Sequence, residues 1–108
     1  MTTGDIVIVS FPYTDLTSFK ARPAVIVKVI DTNYNDVIVC LVSSVVPLAL
    51  TSLQILLAPD DFNNLKTTSV IKVGRIATIE HSKIKAIIGK LNQQQLNEFK
   101  SKFKSLVE

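Results

Sequence analysis

Short runs of β-branched and other apolar residues, separated by turn residues, fill most of the chain and constrain its fold more than any other feature. The runs cover residues 6–11, 23–30, 37–42, 53–57, 68–73, 75–79 and 84–91. Their length, their Val and Ile content and the lack of long helical segments between them are typical of strands in a small barrel or sandwich. We therefore expect a mostly-β fold of about six to seven short strands.

Polar clusters and glycines mark the places where these strands end or bend. Residues 31–36 (DTNYND) form a strong turn sequence, so the second and third strands are expected to pair as a hairpin. Residues 13–21 are mostly polar and predict an exposed loop between the first two strands. Gly74 and Gly89 interrupt later runs, and a glycine within a strand indicates a bulge or a sharp bend.

The last segment of the chain changes its hydrophobic period. An apolar stripe at three- and four-residue spacing is formed by Leu96, Phe99, Phe103 and Leu106. Asn92 is a favourable helix N-cap, and Gln95, three residues later, completes a capping-box pattern. The spacing therefore predicts a C-terminal amphipathic helix that packs on the β-strands.

The length and composition favour one folded domain over residues 1–108. A chain of 108 residues is close to the commonest domain size, and 47% hydrophobic against 19% charged residues argues against disorder. The longest apolar runs are far shorter than the roughly 20 residues that span a bilayer. The N-terminus lacks the basic and apolar regions of a signal peptide. We expect a cytoplasmic protein with no membrane association.

The sequence lacks the common signatures of catalytic and metal sites. Cys40 is the only cysteine and His81 the only histidine, so we expect no disulfide, no metal and no cofactor. Glycine-rich phosphate loops and paired acidic motifs are absent from the sequence. The net charge of +3 is compatible with a nucleic-acid partner but is weak evidence for one.

Several short motifs nevertheless occur in a characteristic order. They are GDIVIVSFPYTDL at 4–16, KARPAVIV at 20–27, Ser43-Ser44 after the third strand, the 68–79 stretch (TSVIKVGRIATI), and IGKL at 88–91. In this order and at this spacing the chain resembles the MazF/PemK family of toxin endoribonucleases, and its PemK-like branch in particular. The resemblance covers essentially the whole chain, and the ordered set is more specific than any single motif.

The resemblance implies a fold, an activity and partners. The fold is an SH3-like small barrel with a C-terminal helix, in a protein that forms a homodimer. The activity is that of a growth-inhibiting toxin of a type II toxin–antitoxin system, a metal-independent and sequence-specific endoribonuclease. It cleaves single-stranded RNA to a 2′,3′-cyclic phosphate and a 5′-hydroxyl. The partners are this RNA and a cognate antitoxin whose acidic C-terminal segment occupies the RNA groove, and the toxin–antitoxin complex binds DNA.

The resemblance places a catalytic arginine at Arg22. A planar guanidinium can hold two phosphoryl oxygens at once, which suits it to charge that develops on phosphate. The family assigns this arginine an acid–base role as well, but an arginine gives up its proton reluctantly, so we favour the electrostatic role. Pro23 disfavours the helical region at Arg22 and keeps it extended.

A catalytic hydroxyl is implied at Ser43, where the family has threonine. Serine keeps the hydroxyl but lacks the methyl group that stiffens χ1. Ser44 is the alternative hydroxyl if the alignment is shifted by one residue. The replacement of threonine also leaves open a second function, a catalytically inert SH3-like module that retains antitoxin or RNA binding.

The residues of the 13–21 loop are further site candidates. Tyr13, Thr14 and Lys20 are expected to border the RNA path, where Lys20 attracts phosphate. Tyr13 or Phe19 could stack on a base, as aromatic residues do in single-strand binding sites. The alternative is that these two rings pack under the loop or at a dimer interface.

Overall fold

The computed structural model describes residues 1–12, 19–30 and 35–108, with only the backbone of 11, 12 and 19. The described residues form six strands, a helix and two short 3₁₀ turns. The strands are β1 (Asp5–Pro12), β2 (Phe19–Ile30), β3 (Asp36–Ser43), β4 (Gln54–Leu57), β5 (Ser69–Glu80) and β6 (Ile84–Lys90). The helix α1 spans Gln93–Lys104, and the 3₁₀ turns span His81–Lys83 and Ser105–Val107.

The six strands form one antiparallel sheet in the order β4-β5-β3-β2-β1-β6. The predicted mostly-β architecture, an SH3-like small barrel followed by a C-terminal helix, is confirmed. The predicted hairpin is confirmed too, since β2 and β3 pair directly. Among the described residues, no helix is both long and apolar enough to cross a membrane.

Two predicted strand boundaries are wrong, and strand pairing explains both. β2 begins at Phe19 rather than at residue 23, because Lys20 and Ala21 continue the ladder with β1 and so leave the predicted loop. The runs at 68–73 and 75–79 are one strand, β5, rather than two. Pairing with neighbouring strands outweighs the low β-propensity of Lys, Ala and Gly at these positions.

The bulges predicted at the two glycines are present. Leu41 of β3 pairs with Lys72 whereas Cys40 pairs with Ile76, so the residues around Gly74 have no partner in β3. In the β1–β6 pair the register shifts next to Gly89. Bulges bend a strand and redirect its side chains, which matters below for the residues that flank Gly74.

Alternate residues of the central strands point to two separate apolar clusters. Ile6, Val25 and Cys40 lie in one cluster with the helix residue Phe99, and all four are buried. The second cluster lies on the opposite face of the same strands and consists of Val7, Val9, Ala24, Ile26, Val37 and Val39, each fully buried. Burial of both faces is the packing expected of strands at the centre of a small barrel.

The C-terminal helix begins as its sequence predicts. The Asn92 side chain accepts a hydrogen bond from the backbone of Gln95 at 2.8 Å, and the Gln95 side chain accepts one from the backbone of Asn92 at 3.0 Å. Leu96 and Phe103 pack against the first cluster beside the buried Phe99. The helix therefore covers the face of the sheet that carries the first cluster.

Candidate functional site

Arg22 and Ser43 are brought together by the pairing of β2 with β3. The β2–β3 ladder ends at the pair Ala24–Leu41, and Arg22 and Ser43, the last residue of β3, each lie two residues beyond that end. Both residues are half-buried. Pro23 follows Arg22 within the strand and fixes its own φ, so this part of the backbone is held extended.

Arg22 and Ser43 line one pocket of about 430 Å³, here called the Ser43 pocket. Two further cations, Lys72 and Arg75, line it as well. They flank the bulge at Gly74, which places both of these β5 side chains at the same pocket. Their family motif does not mark them as site residues, although the glycine between them, within a strand, is a signal that could have found them.

The hydroxyl of Ser43 is held at the end of its strand. Its Oγ accepts a hydrogen bond from the backbone N–H of Val45 at 3.1 Å. This contact uses an acceptor lone pair and leaves the hydroxyl hydrogen to be donated elsewhere. The side chain can therefore offer a hydrogen to an oxygen bound beside Arg22.

A second pocket of about 520 Å³, here called the Asn64 pocket, lies on the other side of Arg22. It is lined by Arg22, Lys20 and Lys66, by polar residues that include Ser44 and Asn64, and by an apolar surface described below. The two pockets share Arg22 and Val42 and therefore adjoin, and the two together are here called the groove. Ser43 and Ser44, the alternative hydroxyls, thus face different parts of this groove.

The groove is strongly basic. Five cations line it, namely Lys20, Arg22, Lys66, Lys72 and Arg75, out of twelve Lys and Arg in the chain. No Asp or Glu is found among the described residues that line either pocket. A concave surface lined by charges of one sign concentrates its field and attracts an anionic ligand.

The segment between β4 and β5, which supplies one wall of the Asn64 pocket, is fixed by its own side chains. The carboxylate of Asp60 accepts hydrogen bonds from the N–H groups of Phe62 at 2.9 Å and Asn63 at 2.7 Å. The fully buried Asn63 side chain accepts from the N–H groups of Asp60 and Leu65, at 3.1 and 3.0 Å. Its Nδ2 donates to the carbonyl of Ala58 at 2.9 Å. The sequence pattern of residues 58–67 does not indicate this role.

The same segment is docked against β6 at Gly89. A Cβ atom on Gly89 would lie 2.3 Å from the carbonyl oxygen of Phe62, so only glycine allows this approach. The backbone of Lys90 donates to that carbonyl at 2.9 Å. The Nδ2 of Asn64 donates to the carbonyl of Ile88 at 2.7 Å. The wall of the Asn64 pocket is therefore attached to the sheet.

The structure places four of the predicted site residues in the Asn64 pocket and two in the Ser43 pocket. Lys20, Pro23 and Ser44 line the former, Ser43 the latter, and Arg22 both. Tyr13 and Thr14 lie outside the described residues. Phe19 begins β2, but its side chain lies outside the described part of the structure.

The chain matches the sequence model of one protein family over residues 2–107. This is the family of PemK-like, MazF-like toxins of type II toxin–antitoxin systems. The chain belongs to this toxin family. The match covers β1 through α1 and confirms the resemblance seen in the ordered motifs. A search of curated protein sequences finds no significant match.

Solved structures of similar fold include three mycobacterial proteins. The Mycobacterium tuberculosis toxin MazF-mt6 is 21% identical, with a TM-score of 0.73 over 95% of each chain. An endoribonuclease in complex with its cognate antitoxin, from a mycobacterial species, is 14% identical, with a TM-score of 0.72 over 99% of this chain and 94% of the other. A further mycobacterial endoribonuclease, also 14% identical, has a TM-score of 0.71 over 99% and 90% of the two chains. These similarities support the fold of this PemK-like, MazF-like family member.

The thiol and imidazole of this family member lie apart from the groove. Cys40 is fully buried and its Sγ donates to the carbonyl of Val73 at 3.3 Å. Burial raises the pKa of the Cys40 thiol to about 12, because the thiolate would lose its solvation. His81 is exposed at the start of a 3₁₀ turn and lines neither pocket of the groove. The polar side chains with which the described residues line the groove are therefore cations, hydroxyls and the Asn64 amide.

Proposed function

We propose that the chain is the toxin of a type II toxin–antitoxin system and acts as a metal-independent, sequence-specific endoribonuclease on single-stranded RNA, including mRNA. The observation that carries this proposal is the placement of Arg22 and Ser43 in one basic pocket. These are the two positions at which the family resemblance implies catalytic residues. Two of the structural neighbours are endoribonucleases, which supports the same activity.

The proposed reaction is an internal transesterification. The ribose 2′-oxygen attacks the adjacent phosphorus, so that an O2′–P bond forms while the P–O5′ bond breaks. The 2′-hydroxyl loses a proton and the departing 5′-oxygen gains one, so the step needs no other reactant. The products are a 2′,3′-cyclic phosphate and a 5′-hydroxyl, and negative charge builds on the phosphoryl oxygens in the transition state.

Arg22 is proposed to bind those phosphoryl oxygens. Its guanidinium presents two parallel N–H donors, and its half-buried position strengthens their interaction with a developing charge. Lys72 and Arg75 add positive charge to the same pocket. Loss of a single preorganised donor of this kind commonly lowers the rate by about 10²-fold or more.

Ser43 is proposed to donate its hydroxyl hydrogen to a phosphoryl oxygen or to orient the 2′-hydroxyl. The Val45 N–H donates a hydrogen bond of 3.1 Å to the Ser43 Oγ and so fixes the position of that oxygen. This contact offsets part of the rotational freedom that serine gains by lacking the threonine methyl. Ser44 lines the other pocket, so Ser43→Ala should reduce cleavage more than Ser44→Ala.

The proposed partner is a cognate antitoxin with an acidic C-terminal segment. Five cations line the groove, Val45 lines the Ser43 pocket, and the exposed apolar residues Val46, Leu48 and Leu50 follow it in the chain. An acidic segment that also carries apolar side chains would complement both features. We also propose a cytoplasmic homodimer whose complex with the antitoxin binds DNA, and light scattering on the purified protein tests the dimer.

The experiment that tests the activity is incubation of the purified protein with a mixed single-stranded RNA in EDTA. Wild type should release fragments with cyclic-phosphate ends. Arg22→Ala should lower the rate by about 10²-fold or more, because the phosphoryl clamp is lost. Arg22→Lys keeps the charge without the two parallel donors and should recover only part of the rate.

Thermal unfolding of each variant separates chemistry from folding, and Arg22→Ala should unfold close to the wild-type temperature. Undiminished cleavage by this variant would remove Arg22 from the mechanism. Intact RNA after incubation with wild type, together with measurable RNA binding, would instead support the inert binding module.

A further inference from the structure

We propose that the Asn64 pocket is the base-binding subsite of the groove and that Asn64 selects the base, with adenine preferred. This inference rests on the proposed function, since it assumes that an RNA phosphate binds beside Arg22. The base next to that phosphate would then lie in the adjoining pocket, which shares Arg22 with the phosphate site.

The surface of the Asn64 pocket suits a flat, mostly apolar ring with polar edges. Its apolar part is formed by Ile8, Pro23, Val42, Leu65 and Ile88. Polar side chains at the same pocket are Ser44, Asn64, Thr67 and Ser69. Mostly apolar pockets with a few placed polar groups, of about 300–1,000 Å³, are typical of small-molecule sites. Both pockets have three cations, but these are three of the seven residues that line the Ser43 pocket and three of the thirteen that line the Asn64 pocket.

Asn64 is held in one orientation by three features. Its backbone adopts a φ of 53°, and its N–H donates to the carbonyl of Asp60 at 3.1 Å. Its Nδ2 donates one hydrogen to the carbonyl of Ile88 at 2.7 Å. The second amide hydrogen and Oδ1 have no partner among the described residues and remain for a ligand.

A side-chain amide that offers one donor and one acceptor matches a base edge with an amino donor beside a ring-nitrogen acceptor. In a single strand adenine presents two such edges, N6/N7 and N6/N1, whereas the Watson–Crick edge of cytosine presents one, N4/N3, which favours adenine. Asparagine makes this pairing in protein–nucleic acid complexes. Selection by such a pair requires that the amide does not reorient, because a mobile amide adapts to other bases. The hydrogen bonds of Asp60 and Asn63, and the contact of Phe62 with Gly89, provide this rigidity.

The test compares wild type with Asn64→Gly on a randomised single-stranded RNA in EDTA, with the 5′-hydroxyl ends sequenced. Glycine is chosen because it adopts a positive φ without strain, so the backbone is kept while the amide is removed. Wild type should prefer adenine at one position next to the cleaved bond. In Asn64→Gly this preference should fall about 5- to 100-fold, toward the rate on the other bases.

Lys66→Ala is the matched control from the same pocket. A lysine that contacts phosphate carries no base information, so this variant should slow cleavage of all sequences alike. An unchanged sequence profile in Asn64→Gly would overturn the proposal. So would a uniform loss like that of Lys66→Ala, or a wild-type preference that does not involve adenine.

Binding of 2′-deoxy oligonucleotides separates this inference from the proposed activity, because these strands lack the attacking hydroxyl and cannot be cleaved. Fluorescence anisotropy with homopolymers of the four bases should show a preference for oligo-dA in wild type that Asn64→Gly loses. If wild type binds with this preference but cleaves no RNA, the proposed activity fails and the subsite stands. Equal affinity of wild type for all four homopolymers would overturn the subsite.

Discussion

The two halves of the groove are built in different ways. The Ser43 pocket is carried mainly by the strands β2, β3 and β5, whose register sets the positions of its cations and its hydroxyl. One wall of the Asn64 pocket comes from the segment between β4 and β5, which side-chain hydrogen bonds and one glycine contact attach to β6. The difference suggests a division of labour, with reaction groups on the sheet and base selection on a segment that can vary between relatives.

The largest expected effect is on stability and comes from a substitution that detaches the segment between β4 and β5 from β6. Gly89→Ala places a Cβ about 2.3 Å from the carbonyl oxygen of Phe62, a backbone atom that cannot move without shifting the segment. We expect a loss of about 3 kcal/mol in the free energy of unfolding, near the upper end for overpacking. Urea unfolding followed by circular dichroism measures it.

Gly74→Ala is the matched control on the Ser43 side. There a Cβ would meet only the Leu53 side chain, at an ordinary contact distance of 3.7 Å. We expect a change of less than about 1 kcal/mol in the free energy of unfolding. Equal destabilisation by the two substitutions would contradict the claim that the Asn64 pocket alone depends on close backbone packing.

A smaller effect is expected from removing one lysine in each pocket. Lys72→Ala should lower kcat about tenfold, less than loss of Arg22, because two of the three cations in the Ser43 pocket remain. Lys66→Ala should mainly raise KM and reduce the salt dependence of binding, since it only attracts phosphate. Steady-state cleavage of a fluorogenic RNA at several salt concentrations separates the two. If Lys66→Ala lowered kcat as strongly as Lys72→Ala, this result would contradict the proposed division of labour between the two pockets.

The sequence predicts the Ser43 side of this comparison better than the Asn64 side. Arg22 and Ser43 carry family motifs, and the hairpin that brings them together follows from hydrophobic runs around a turn. Lys72 and Arg75 were missed because Gly74 indicates a bulge but not its size, and their shared pocket depends on a three-residue shift in register there. The role of Asn63 was missed for a similar reason, because the partners of a buried amide are set by the folded path of the segment.

The extension of β2 could not be predicted from local preference either. Lys20 and Ala21 are weak strand formers, and they join the sheet because β1 offers them partners. Lys20 was expected to border the RNA path as a loop residue. It does line the Asn64 pocket, but from strand β2. Boundaries that depend on pairing are thus the part of this fold that sequence patterns determine least.

The smallest effect on the groove is expected at Cys40, which lies at the point where the β3–β5 register shifts but lines neither pocket. Cys40→Ala should leave RNA cleavage unchanged, and the native thiol should resist alkylation at pH 8 until the protein is unfolded. The folded pKa is raised from 9.0 to about 12, so the folded state retains its proton where the unfolded state loses it. Burial of the protonated Cys40 thiol therefore contributes fully to the free energy of unfolding below about pH 9, and this contribution declines as the pH rises toward 12.

The wild-type unfolding constant should consequently rise relative to that of Cys40→Ala by about tenfold per pH unit within that window. Comparison with the variant cancels the titration of lysines and tyrosines, which both proteins share. Rapid alkylation of the native protein, or parallel stability curves for the two proteins above pH 9, would show that the thiol is accessible. The sheet beside Lys72 and Arg75 would then open more readily than the strand-built Ser43 pocket requires.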